Sequence, residues 1–281
     1  MSENMPLITV IVAVFNGADT LQRCIDSVLK QTYQEIELIV MDGGSTDGTV
    51  EIVQANSGEI TYWETRPDRG VYHAWNKALN HARGEWICFL GADDYFWRSD
   101  VLEQLAPHLM AAAAQGIRVV YGRVAVLTAK GRPLEISGEP WEKVEKRFQE
   151  EMAIPHQGTM HHRSLFETHG VFDESFRISG DYDLLLRDLR KNSAQFVPGV
   201  VVTGMQLGGL SSVPALQLVH IREVKRARDK NQITAFSPRL FRRLVRAVIR
   251  SWIAEVFGKK ITDSLVDVYR MLTGKPRKWT A

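Results

Sequence analysis

Two adjacent carboxylates, Asp93 and Asp94, follow the apolar run Trp86 to Leu90 across a Gly91-Ala92 turn. Short and bounded by turn residues, that run suits a buried strand better than a helix. Ligands of open α/β sheets bind beyond the carboxyl ends of strands. Two acids at such an end suit a hard divalent cation and, through it, a phosphate-bearing ligand. Alone, an Asp-Asp pair reads more simply as a solvated turn. Other acids shift that balance: Asp42 opens a glycine-rich loop running to Thr49, Asp68 precedes Arg69-Gly70, and Asp181 follows Ser179-Gly180.

The elements that must position these acids follow from patterning. Leu7–Phe15 is a continuous, mostly β-branched run, the signature of a central parallel strand. Leu21, Cys24, Ile25, Val28 and Leu29 then mark one face of a helix that Asn16 or Asp19 can cap. Strands are expected at Glu37–Met41 and Ile60–Glu64, with helices from about Val50 and over Ala74–Ala82, the latter ended by Gly84. Strands alternating with helices make a βαβ nucleotide-binding half, whose right-handed crossovers gather the loops on one edge. Further on, Asp100 and Glu103 suggest a capping box for a helix to about Gln115. Arg118–Leu127 and Leu134–Ile136 suggest a hairpin, Trp141–Glu151 an exposed charged helix, and Ile154–Arg163 a loop. A leucine-rich helix follows Asp181, a strand covers Gln195–Val202, and Gly208–Ser212 reads as a mobile loop before a helix at about Pro214–Asn231.

Composition narrows the class. The chain has 281 residues, 44% hydrophobic and 24% charged, ordinary for a soluble globular protein. Its two cysteines, Cys24 and Cys88, fall in apolar elements and fit a reducing compartment, not a disulfide framework. No basic leader opens the chain, and Leu7–Phe15 is too short to span a bilayer. The net charge of +2 hides an asymmetry: residues 220–281 hold 16 Lys/Arg against 5 Asp/Glu. Within them, Arg239–Phe257 sets Phe241, Val245, Val248, Ile249, Trp252 and Val256 on one helical face and arginines on another. Such a basic amphipathic helix is a candidate for an anionic membrane surface. A helix packed on its own domain is the alternative.

Two nucleotide-binding classes fail on motif. No Gly-x-Gly-x-x-Gly follows the first strand, and no Walker A lysine is present. The chain does resemble glycosyltransferase family 2. The matching pieces are Val14-Phe15-Asn16-Gly17, Met41 through Thr49, Asp68-Arg69-Gly70-Val71-Tyr72 with Asn76-Lys77, Gly91-Ala92-Asp93-Asp94, Pro155-His156-Gln157, and Gly180-Asp181-Tyr182-Asp183-Leu184. Together they span roughly residues 5–212 in the family's order.

The resemblance implies a GT-A fold, an α/β, Rossmann-like architecture with a mostly parallel central sheet flanked by helices. Residues 1–215 would form that domain and 216–281 a basic helical extension. It implies inverting transfer of a sugar from a UDP- or GDP-linked donor to a hydroxyl of a glycan or lipid-linked acceptor. By motif match, Asp42 would bond the nucleobase, the backbone around Phe15 would line the base pocket, and Arg69 would sit near the nucleotide. Asp93 would face ribose or sugar hydroxyls, Asp94 would bind Mg2+ or Mn2+, and His156 would face sugar or acceptor. Asp181 matches the general base; many relatives carry Glu-Asp where this chain has Gly180-Asp181. Asp183 reads as structural, and His161 and His162, adjacent on an extended segment, point to opposite faces. The expected setting is peripheral to the cytoplasmic face of the membrane, in cell-surface polysaccharide or lipid-linked oligosaccharide synthesis, with no nucleic-acid partner. A sugar-nucleotide pyrophosphorylase would want a Gly-rich basic signature after the first strand, absent here. A non-catalytic nucleotide-sugar-binding protein with a basic nucleic-acid- or membrane-binding tail is the remaining alternative.

Overall fold

The β-branched run at the N-terminus forms β1, Ile8–Val14. In the computed structural model, which describes residues 5–128, 131–206 and 216–272, β1 lies near the centre of a nine-stranded sheet. It pairs in parallel with β2 (Ile36–Asp42) and β4 (Trp86–Gly91), and β2 pairs in parallel with β3 (Tyr62–Thr65). Helices α1 (Ala18–Leu29), α2 (Thr49–Ala55) and α3 (Val71–Leu79) make the crossovers. Val14 stands opposite Asp42, and Ala13 opposite Gly91, so the strands end together and deliver their loops to one edge.

The second half turns the sheet mixed. After the short β5 (Tyr95–Phe96) and α4 (Val101–Ala114) come β6 (Val119–Leu127), β7 (Pro133–Ser137) and α5 (Trp141–Phe148). A 3-10 turn at His156–Gly158 leads into β8 (Thr159–His162), then α6 (Arg163–His169), α7 (Gly180–Leu189) and β9 (Gln195–Gln206). β8 runs antiparallel between β4 and β6; β9 is parallel to β6 and antiparallel to β5. The strand order is β3-β2-β1-β4-β8-β6-β9-β5, with β7 hanging from β6.

Alternation along the buried strands divides the core between the sheet's two faces. Val10 and Val12 of β1 and Cys88 and Leu90 of β4 pack with α1 and α4. Ile11, Ile87 and Phe89 face Trp75, Tyr182 and Leu185 of α3 and α7. Both cysteines are free and buried.

Four local expectations change. Ile154–Arg163 holds a strand, not only a loop; its histidines hid the apolar alternation. His161 is buried with Nδ1 3.2 Å from the Ile87 carbonyl, while His162 lies edge-on to Trp86, so the two do take opposite faces. α5 is not merely exposed: Trp141, Val144 and Phe148 form a narrow buried stripe at helical spacing. Asp100 is bonded by Arg98, and Glu103 accepts from Thr32 Oγ1, so no capping box forms. Finally, α1 is capped from another loop, where Asp47 accepts from Ala18 N (3.1 Å) and Thr49 Oγ1 from Gly17 N (2.9 Å). Ala129-Lys130 and Gly208–Ser212 lie outside the described residues.

Beyond β9 lie α8 (Gln217–Lys230), α9 (Pro238–Phe257) and α10 (Lys259–Leu272). α8 belongs to the body, with Ile221, Val224 and Ala227 buried in the same core as Tyr182. α9 and α10 leave long apolar rows exposed, Phe241, Val248 and Trp252 on one, Ile261, Leu265 and Val268 on the other. Among the described residues, no helix is long and apolar enough to cross a membrane.

Candidate active site

The loops after β1, β2 and β3 interlock. Asn16, in the left-handed region at φ 50° that asparagine tolerates, accepts from Thr46 N through Oδ1 (3.0 Å). Its own N–H donates to Ser45 Oγ (2.7 Å). Asp42, 1% exposed at the end of β2, caps its own loop by accepting from Gly44 N, Ser45 N and Ser45 Oγ. Gly43 lets these groups close in: a Cβ there would stand 2.8 Å from Asp68 Oδ2, which would have to shift, and 3.4 Å from the Phe15 ring. Asp42, Asp68 and the exposed Phe15 are thereby gathered around one short stretch of backbone. Arg69, in the loop after Asp68, pairs its guanidinium with Glu174.

At the end of β4, Asp93 and Asp94 part company. Asp94 is 3% exposed, with Oδ2 accepting from Gly91 N at 3.2 Å. Asp93 is half-buried, and its carbonyl accepts from Arg23 Nη2 (2.9 Å). Burial, with the Asp93 charge beside it, pushes the Asp94 carboxyl up to about 8. Only a positive charge beside it would hold such a buried acid ionised near neutral pH. The oxygen donors fit a hard divalent ion. Among the described residues no cluster of three or more His, Cys, Asp or Glu forms a closed cage.

Asp181 sits in the first turn of α7, on the wall of a cleft of about 420 Å3 shared with His156, Ser179 and His220. Gly180 before it is required by Tyr72, whose ring would be 2.8 Å from a Cβ there. Tyr72 Oη donates to Asp181 Oδ1 at 3.3 Å. Burial raises the Asp181 carboxyl to about 6, although Tyr72, His220 and the Tyr182 N–H favour its charged form. Burial likewise holds His156 neutral, lowering it to about 4. His156 stacks on Trp75 and Phe89, so the ring is fixed by the core that carries β4. Two buried polar atoms on this cleft's walls, His156 Nε2 and Ser179 Oγ, have no protein partner. Such groups are costly unless a ligand or water meets them. Asp183 points away, bonded by Arg187, Lys230 and Asn231, as expected of a structural acid.

The family model for glycosyl transferase family 2 matches residues 9–169, which carry the β1, β2 and β4 loops. A Mycobacterium bovis protein named PGL/p-HBAD biosynthesis glycosyltransferase is 31% identical over 252 residues, covering 88% of this chain and 91% of the relative. The chain belongs to glycosyltransferase family 2. An uncharacterized glycosyltransferase of Mycobacterium tuberculosis is 32% identical over 65% of the chain and 68% of its own length. Solved glycosyltransferases share the fold. Staphylococcus aureus TarS 1-349 in complex with UDP superposes with a TM-score of 0.61 at 16% identity, over 92% of this chain and 78% of that one. The mannosyltransferase PcManGT from Pyrobaculum calidifontis, in complex with GDP-Man and Mn2+, gives 0.62 at 20% identity, over 96% and 81%. This glycosyltransferase is therefore an enzyme of GT-A fold, as the motifs implied.

Sequence reasoning passed over several residues that the glycosyltransferase fold brings to Asp181 or its cleft. Tyr72 stood inside a quoted motif but had no role, because its contact with Asp181 spans 109 positions. Ser179 and His220 carried no spacing signal at all. The apolar face of α8 packs in the same core as α7.

Proposed function

We propose that this glycosyltransferase is metal-dependent and inverting, and moves a sugar from a UDP- or GDP-linked donor to an acceptor hydroxyl, with Asp181 as general base. The observation that carries the reading is Asp181 itself: a carboxylate in a cleft, oriented by Tyr72 and raised to about 6 by burial, is poised to accept a proton near neutral pH. The acceptor O–H gives its proton to Asp181 as its oxygen bonds the anomeric carbon. The carbon–oxygen bond to the diphosphate breaks, and the electron pair leaves with the nucleoside diphosphate. One displacement from the opposite face inverts the centre.

Asp42 and the Phe15 backbone would hold the base, with Asp68 beside them. Arg69 would reach the diphosphate only by exchanging Glu174. Asp93 would meet ribose or sugar hydroxyls. Asp94 would hold Mg2+ or Mn2+, which neutralises charge on the departing diphosphate. The unpartnered His156 Nε2 and Ser179 Oγ would bond sugar or acceptor hydroxyls. Residues 237–260 would dock on an anionic membrane surface, placing the enzyme at the cytoplasmic face for a lipid-linked or polysaccharide acceptor.

Nucleotide-sugars offered as a panel, with mass spectrometry of what is consumed, test the reaction. An Asp181→Asn variant that binds the same donor as tightly yet transfers nothing supports the base assignment. Full turnover by that variant removes it.

A further inference from the structure

The start of α7 has no side-chain cap of its own. Ser179 occupies the N-cap position but makes no side-chain cap bond, and its Oγ is buried without a partner. The preceding backbone is held from outside, by Glu223 of α8. Glu223 Oε1 accepts from Arg177 N at 2.7 Å, while Oε2 accepts from Ile178 N at 2.8 Å and Ser179 N at 2.9 Å. Three consecutive N–H groups thus converge on one buried carboxylate, 44 to 46 residues away in sequence. Among the described residues that carboxylate has no lysine or arginine ion pair, so peptide dipoles carry its compensation.

Other polar groups of α8 fasten the helix elsewhere. Arg228 bonds the carbonyls of Gln149 and Ala235, and Asn231 bonds Asp183. Glu223 is the member of α8 that takes hold of residues 177–179, and Asp181 begins two residues later.

We propose that Glu223 is a positioning residue for Asp181, clamping the start of α7 so that the base stays aimed into the acceptor cleft. The inference rests on the reading of Asp181 as base. It also moves α8 into the catalytic unit, so the functional boundary falls after Lys230, not at residue 215.

The groups that face Asp181 or line its cleft are Tyr72 from α3, His156 from the 3-10 turn, Arg147 and Glu151 at the end of α5, and His220 from α8. Released from the clamp, Asp181 becomes better hydrated, and removal of the Glu223 charge acts in the same direction. Both lower its titration midpoint.

The test is Glu223→Gln in the full chain, with 13C-aspartate NMR titration, transfer rate and affinity for UDP or GDP measured together. Expected are a lower Asp181 midpoint, a rate reduced about a hundredfold, and unchanged nucleotide affinity. A folded variant with normal rate and an unmoved midpoint overturns the proposal, even where its melting temperature has dropped. Should Glu223→Gln not fold, Glu223→Asp keeps the charge but is one methylene short, and the same two outcomes decide. Failure of the base assignment itself is separate: Asp181→Asn would then retain activity whatever Glu223 does.

Discussion

Tyr72 and Asp181 are mutually locked: the phenol donates to the carboxylate at 3.3 Å, and the same ring fills the space a side chain at position 180 would need. The hydroxyl keeps its proton, since burial and the Asp181 charge hold Tyr72 well above its ordinary range. Its hydrogen bond favours the ionised carboxylate. Tyr72→Phe removes that preference, so the acid limb of the rate profile should move to higher pH. A bond of this kind is worth about 1 kcal/mol, so the rate should fall about fivefold well below pH 6 and only about twofold near pH 6.5. An unmoved acid limb in the Phe variant would show that the contact is idle.

Asp181 gives a second, opposite pair of signs. A base must be ionised, so the transfer rate should climb with pH through about 6 and level off above it. Stability runs the other way. The fold raises this carboxyl above the unfolded value of 3.8, so it favours the protonated form. That contribution is complete below 3.8 and is lost as pH rises through about 6. Asp181→Asn, permanently neutral, should therefore melt about 2 °C or more above the wild type at pH 7.5 while losing transfer. Calorimetric scans at pH 4 and pH 7.5 check this; the gain should vanish at the lower pH.

How far the sequence could reach is visible in these same residues. β1, β2 and β4 were legible because fully buried parallel strands are written as unbroken β-branched and apolar runs, with their loops marked by Asn16-Gly17, Asp42-Gly43 and Gly91-Ala92. The acids at their ends were legible through order and family motif. β8 was not, since His161 and His162 sit where a strand of this length would need alternation. Ser179 and His220 reach one cleft from two helices or their ends, Tyr72 meets Asp181 from a third, and no local period records such a meeting. The capping box failed for a related reason: Thr32, 71 residues from Glu103, competed for its carboxylate.

The Asp94 environment makes a metal prediction. An acid raised to about 8 by burial and by Asp93 is a poor structural group but a good ligand once a cation arrives. Mn2+ with UDP or GDP should raise the melting temperature of the wild type, because both bind the folded state. Asp94→Asn should abolish the Mn2+ part of that rise and leave at most weak nucleotide binding. EDTA should stop transfer, and excess Mn2+ should restore it. Activity that persists through chelation would take Asp94 out of the metal role.

The tail supplies the last prediction. Trp252 is 60% exposed, Phe241 54% and Val248 51%, a row too apolar to face water without purpose. The helix that carries it is rooted in the cleft's rim: Arg239 pairs with Glu150 (2.6 Å) and Arg243 with Glu151 (2.8 Å), and Arg243 Nη2 lies 3.4 Å from His220 Nδ1. A guanidinium only donates, so that contact leaves the His220 proton on Nε2. An anionic bilayer under α9 would therefore be fixed in orientation relative to the cleft. The full chain should float with phosphatidylglycerol vesicles, less so at 0.5 M salt, and poorly with pure phosphatidylcholine, as screening within about 10 Å requires at moderate ionic strength. Trp252→Ser should weaken flotation through lost insertion. Arg242→Gln, on an exposed arginine of the same helix, should weaken it about fivefold through lost charge. A truncation before Ser237 should stay at the bottom of the gradient. Equal flotation of full and truncated chains, or a stable dimer that buries Trp252, would assign this face to a different task.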